Sequence, residues 1–213
     1  MTSEPDLVAL CADIQLAIPR VEQHSSQTPL LRIQALDQLI DGEVLLKAEC
    51  LQATGSFKIR GALNAMSAIA GQGDINAVVA FSSGNHGIGV AYAARCLGTA
   101  ATIVLPSDAP QTKVRQIISL GARIIYYDRQ IEDREQIANA LLVDASVVLI
   151  KPYDDWHTIA GQGTCGAEIQ TQVPGELDSV IVCAGGGGLA AGVGTYLRSH
   201  QPRLRIYTAE PED

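Results

Sequence analysis

The strongest constraint on the fold of this chain is an alternation. Short, wholly apolar runs recur along almost its entire length, separated by longer segments of helical period. Val44–Ala48, Ala77–Phe81, Ala101–Leu105, Arg123–Tyr127, Ser146–Ile150, Ser179–Cys183 and Leu204–Ala209 read as strands. Phe57–Ile69, His86–Leu97, Gln111–Leu120, Ile131–Val143, Trp156–Gln172 and Leu189–His200 read as helices, after a first helix from about Leu7 to Ile18. A run such as Val180-Ile181-Val182-Cys183 has no polar face to give to water. It implies strands buried on both sides, in a largely parallel sheet covered by helices. The pattern predicts a doubly wound α/β architecture and leaves open whether the strands form one sheet or two.

Composition narrows the function classes. The 213 residues carry a net charge of −8 and only 4% aromatics. An acidic chain with few stacking residues is a poor nucleic-acid binder. Cys11, Cys50, Cys96, Cys165 and Cys183 are scattered and form no C-x-x-C pair. That usage fits buried thiols in a reducing, cytoplasmic compartment better than a disulfide framework or a zinc site. No apolar run approaches the length of a membrane span, and MTSEPDLVAL has no signal-peptide pattern.

Ligands of open parallel sheets bind beyond the carboxyl ends of the strands, so the strand-to-helix turns carry the functional information. Ala184-Gly185-Gly186-Gly187-Gly188-Leu189 follows a strand and opens a helix. Consecutive glycines let backbone N–H groups converge at a helix N-terminus, which suits a phosphate dianion. A plain turn would need one or two glycines, and each costs about 0.5–1 kcal/mol relative to Ala in regular structure. Ser82-Ser83-Gly84-Asn85-His86-Gly87 offers hydroxyls, an amide and free N–H groups as a carboxylate cradle. One of Ser83 or Asn85 could instead simply cap the helix, and His86 fits a structural or a ligand role equally. Lys58, in Gly55-Ser56-Phe57-Lys58-Ile59-Arg60-Gly61, sits in the first turn of an apolar helix, where the dipole opposes its charge. It reads either as a snorkelling surface lysine or as an amine with a lowered pKa. A phosphate cradle, an activatable amine and a carboxylate cradle are the parts that hold pyridoxal phosphate and an amino acid.

These segments resemble the serine/threonine dehydratase and serine racemase group of fold-type II pyridoxal-phosphate enzymes. Leu105-Pro106, Ala109-Pro110, Lys113-Val114, Gly121-Ala122 and Pro152-Tyr153-Asp154-Asp155 through Ile159-Ala160-Gly161-Gln162-Gly163-Thr164 extend the likeness from Thr28 to the last residue. The resemblance implies a tryptophan synthase β-like fold with two doubly wound open sheets. Residues 1–66 and 144–213 would form a larger cofactor-binding domain, and 67–143 a smaller domain closing on the substrate. It further implies that Lys58 binds the cofactor covalently and Phe57 packs beside its ring. Asn85 would contact the 3′-oxygen, and Gly185, Gly186, Gly187, Gly188 and Leu189 the phosphate. Ser82, Ser83, Asn85 and His86 would surround the substrate, with Ser83 also exchanging the α-proton on the face opposite Lys58. Glu210 matches one carboxylate of a Mg²⁺ or Ca²⁺ site, and Arg134 lies near an arginine of racemase-like members. The implied reaction converts serine or threonine to a 2-oxo acid and ammonia. Racemisation, hydroxyaspartate as substrate and a non-catalytic phosphate-ligand module are the alternatives. Members of the group form homodimers or homotetramers and continue past Glu210, so the chain is expected to be a truncated catalytic unit.

Overall fold

Asp6 opens the first helix of the computed structural model, which describes residues 6–71, 75–82 and 84–212. Its carboxylate accepts from the Val8 and Ala9 amides, and helix α1 runs over Leu7–Glu22. The helix continues through Pro19, past the end expected near Ile18. Proline forfeits one intrahelical bond there, and burial of Ala17 and Val21 on either side carries the helix on.

Strands β1 (Leu30–Arg32) and β2 (Leu45–Lys47) flank helix α2 (Gln34–Ile40). Here the expected parallel strand Val44–Ala48 is corrected: β2 pairs with β1, antiparallel, in a two-stranded sheet of its own. The short return through α2 brings the chain back beside β1, and an antiparallel pair needs no crossover. Neither β1 nor α2 shows in the hydrophobic pattern, since β1 is short and α2 buries no residue. A 3₁₀ turn at Glu49–Leu51 then leads to helix α3 (Lys58–Ala70).

The next elements alternate: β3 (Ala77–Phe81), α4 (Asn85–Leu97), β4 (Ala100–Pro106), α5 (Gln111–Ser119), β5 (Arg123–Tyr127), α6 (Arg134–Ala140) and β6 (Val147–Leu149). Helix α6 is shorter than the expected Ile131–Val143 because Asp133 accepts from the Glu135 and Gln136 amides and starts it there. The four strands form one parallel sheet in the order β5-β4-β3-β6. It takes in β6, which pairs with β3. Val78, Ala80, Ile103 and Leu105 pack on one face with α3, α4 and α5, while Val79, Phe81 and Val104 meet α6 on the other. Two covered faces explain the unbroken apolar runs. The order reverses between β3 and β6, which makes the crevice beyond their carboxyl ends the expected ligand position.

Helix α7 (Trp156–Gln172), strand β7 (Ser179–Cys183), helix α8 (Gly188–His200) and strand β8 (Arg205–Ala209) complete the chain, with β7 and β8 a separate parallel pair. Glycines set the helix spacing. A Cβ on Gly161 of α7 would stand 2.5 Å from the Arg60 carbonyl of α3, and one on Gly192 of α8 2.6 Å from the Gly163 amide of α7.

Candidate active site

The crevice at the strand-order reversal is bounded by three segments. One comprises Ser82 and Gly84, between β3 and α4. The second is the strap Ile150–Tyr153 after β6, and the third is the first turn of α3, which meets that strap. Lys58, the first residue of α3, donates from Nζ to the Pro152 carbonyl at 2.6 Å. The same Nζ lies 5.3 Å from the centroid of the Phe57 ring and 6.0 Å from that of Tyr153. Burial lowers the Lys58 pKa, with the Cys183 thiol acting weakly the other way. The helix has no side-chain cap and no acid in its first turn, so nothing there compensates the amine. The alternatives left open by sequence resolve toward a partly buried amine with raised nucleophilic fraction.

Tyr153 joins this lysine to the glycine loop. A Cβ on Gly186 would fall inside the Tyr153 ring, so only glycine permits that approach. Gly185 and Gly187 face open space, and Gly187, at φ +81°, adopts a left-handed conformation that favours glycine. Gly187 is the N-cap of α8 and offers no side chain, which leaves the amides of the first turn, Gly188 and Leu189 among them, available to an anion. An open set of first-turn amides and a partly buried amine suit the phosphate and the aldehyde of pyridoxal phosphate respectively.

The turn after β3 is more structural than its sequence suggests. The Ser82 hydroxyl oxygen accepts from the Gly84 and Gly87 amides, each at 2.9 Å, and so caps the turn into α4. Asn85 is exposed at the first position of α4. Ser83 lies outside the described residues. His86 is buried, and its Nε2 donates to the Ile150 carbonyl at 2.9 Å, tying α4 to the strap. Burial pushes its pKa down to about 4, the Lys58 charge adding to the effect, so the ring is neutral and Nδ1 is an acceptor without a partner among the described residues.

Several groups at the crevice escape motif-by-motif reading. Pro152 and Tyr153 enter the sequence reading only through the family likeness, with no role of their own. Lys113, in the first turn of α5, lays its side chain over Gly84, 2.5 Å from where a Cβ would sit. Its signal is the one Lys58 gives, a lysine where the helix dipole disfavours it. The Arg134 guanidinium stacks 5.2 Å over the Phe81 ring, at the carboxyl end of β3. Glu210 is exposed just after β8, and among the described residues no group of three or more acidic, histidine or cysteine side chains surrounds a common point. The described residues do not make a metal site.

The family model described as "Pyridoxal-phosphate dependent enzyme" matches residues 21–213. The L-threo-3-hydroxyaspartate ammonia-lyase of Saccharomyces cerevisiae is 41% identical, over 97% of this chain and 63% of the relative. The serine racemase of Schizosaccharomyces pombe is 39% identical, over 94% and 62%. The crystal structure of a threonine deaminase from T.th. superposes with a TM-score of 0.85 at 40% identity, over 94% of this chain and 64% of that one. The chain thus spans a little under two thirds of the length of these relatives. With the lysine, the glycine loop and the strand-order crevice in one place, this chain belongs to the fold-type II family of pyridoxal-phosphate-dependent enzymes.

Proposed function

We propose that this protein is an ammonia-lyase that converts a β-hydroxy amino acid to a 2-oxo acid and ammonia, with 3-hydroxyaspartate ahead of serine and threonine. The observation that carries the reading is Lys58: a partly buried amine with lowered pKa, 6.0 Å from the ring that packs on the glycine loop. A dicarboxylic substrate is favoured by two cations at the mouth of the crevice, Lys113 over Gly84 and Arg134 over Phe81. The sequence similarity to a hydroxyaspartate ammonia-lyase supports the same choice.

Pyridoxal phosphate, when bound, supplies an electron sink for the pair left at the α-carbon. The chain's own groups do the rest. The Gly185–Leu189 amides would hold the phosphate, with Phe57 beside the ring and Asn85 toward the 3′-oxygen. The Asn85 and His86 amides at the start of α4 would orient the α-carboxylate. Lys58 Nζ, whose burial disfavours its charged form, would take the α-proton and return a proton to the departing β-hydroxyl. Water then completes the release of a 2-oxo acid and ammonia.

The test is 2-oxo acid formation by cofactor-loaded protein from 3-hydroxyaspartate, serine and threonine, with Lys58→Ala as control. Product from hydroxyaspartate at the highest kcat/KM, lost in Lys58→Ala, is expected. A bound near-visible chromophore with no 2-oxo acid from any of the three would reject lyase activity. A second reading, racemisation, draws on the similarity to the serine racemase of Schizosaccharomyces pombe. Chiral analysis of recovered serine distinguishes it, since only racemisation returns the opposite enantiomer.

A further inference from the structure

Arg60 lies two residues after Lys58, in the first turn of α3, and its side chain is 0% exposed. Removing a guanidinium from water is strongly unfavourable unless its donors are matched. Here they are matched by three partners. Nε and Nη2 donate to the two carboxylate oxygens of Glu49, each at 2.8 Å, and Nη1 donates to Glu168 at 2.7 Å and to the Thr164 hydroxyl at 3.2 Å. The acids are themselves held. Glu49 accepts from the Thr28 hydroxyl at 2.6 Å, and Glu168 accepts from Lys47 Nζ at 2.5 Å and the Thr28 amide at 3.3 Å. Two cations and two anions therefore balance in a buried cluster joining β2, the 3₁₀ turn, α3 and α7.

What this cluster fixes is the place of α3 along α7. Glycine contacts let the two helices approach closely, but they set distance rather than register. A planar fork bonded to two carboxylates sets register, because each bond has a direction. Helix α7 also continues from the strap whose Pro152 carbonyl receives Lys58 and whose Tyr153 packs on Gly186. The Arg60–Glu168 bond thus locks α3 to the element that carries the lysine's acceptor and leads to the glycine loop. The first turn of α3 has no N-cap to do this instead.

We propose that Arg60 is a positioning residue: through Glu49 and Glu168 it holds the Lys58 amine at the distance from the glycine loop that covalent capture of pyridoxal phosphate requires. The inference rests on Lys58 being the cofactor lysine.

The test reads where the cofactor attaches. Protein incubated with pyridoxal phosphate is reduced with borohydride, and peptide mass spectrometry gives the rate of trapping at Lys58 relative to the exposed Lys151 of the same molecule. Arg60→Lys keeps the charge but cannot fork. Its Lys58-to-Lys151 ratio is expected to fall about tenfold or more, since displacements near ~1 Å cost rates of that order. Glu168→Gln, which removes one anchor and keeps an acceptor oxygen, should move the ratio the same way and serves if Arg60→Lys does not fold. Val104→Ala, on the sheet face that meets α6 rather than α3, lowers the melting temperature while leaving the ratio unchanged. A folded Arg60→Lys or Glu168→Gln with the wild-type ratio overturns the role of Arg60. Wild-type protein that traps no faster at Lys58 than at Lys151 overturns instead the reading of Lys58 on which it rests.

Discussion

Lys58 and His86 show how burial alone prepares residues for chemistry or denies it to them. Burial keeps the Lys58 amine below the usual lysine value, so more of it is unprotonated at neutral pH than of a free lysine. Acylation of Lys58 by an amine-directed reagent should reach half its maximal rate at a lower pH than acylation of a lysine peptide. A midpoint at or above the peptide's would count against a buried amine. His86 has a folded pKa of about 4 against 6.5 for the free side chain, burial being the main cause. Between those values the unfolded chain binds a proton that the folded chain does not, so stability rises with pH across the window and falls as pH drops from 6.5 toward 4. The full effect is about 3 kcal/mol. Melting temperatures measured across this range should decline for the wild type and flatten for His86→Gln. Equal slopes would sink the assignment.

At the scale of elements, close backbone approach between helices does what side-chain caps do elsewhere. Gly161→Ala would put a methyl group 2.5 Å from the Arg60 carbonyl and 2.7 Å from the Gly61 Cα, both backbone atoms that cannot rotate away. Helices α3 and α7 must then part, at a cost of about 1–3 kcal/mol. Urea denaturation should report that loss, and a stability unchanged within error would mean that the two helices have room to spare. The elements themselves were largely legible. Trp156–Gln172 is a helix with the bounds its periodicity predicts, and the apolar runs from Ala77 to Tyr127 are the strands of the sheet. Where the pattern misled, an element had no apolar face to announce it, as in α2, or too few residues to show alternation, as in β1. The capping role of Ser82 was legible in principle from its position before the helix, but a run of polar residues does not say which one turns inward.

For the whole molecule, the site is a junction. Lys58 and the glycine loop come from distant parts of the sequence, and the strap after β6 joins them. A ligand that binds both should therefore stabilise the folded chain by mass action. Pyridoxal phosphate is expected to raise the melting temperature of the wild type, and to do so less in Gly187→Val, because φ +81° strains a β-branched residue. No shift in the wild type, or an equal one in the variant, would argue against the loop as the phosphate cradle. A groove of about 770 Å³ lies between α1 and α8, lined by Leu7, Val8, Ala190 and Ile206.

By itself the sequence determined the layered α/β architecture, because uninterrupted apolar strands can be satisfied only between helices. It also determined the types of group the site contains, since glycine runs and a lysine at a helix start are local facts with local reasons. Only the tertiary structure decided that β2 turns away from the parallel strands and that the strand order reverses between β3 and β6. Only it shows Tyr153 filling the space against Gly186 and Arg60 locking the turn that bears Lys58. Those outcomes depend on which distant surfaces meet. Pairing between residues far apart in the chain is set by packing and charge balance in three dimensions, which no single segment encodes.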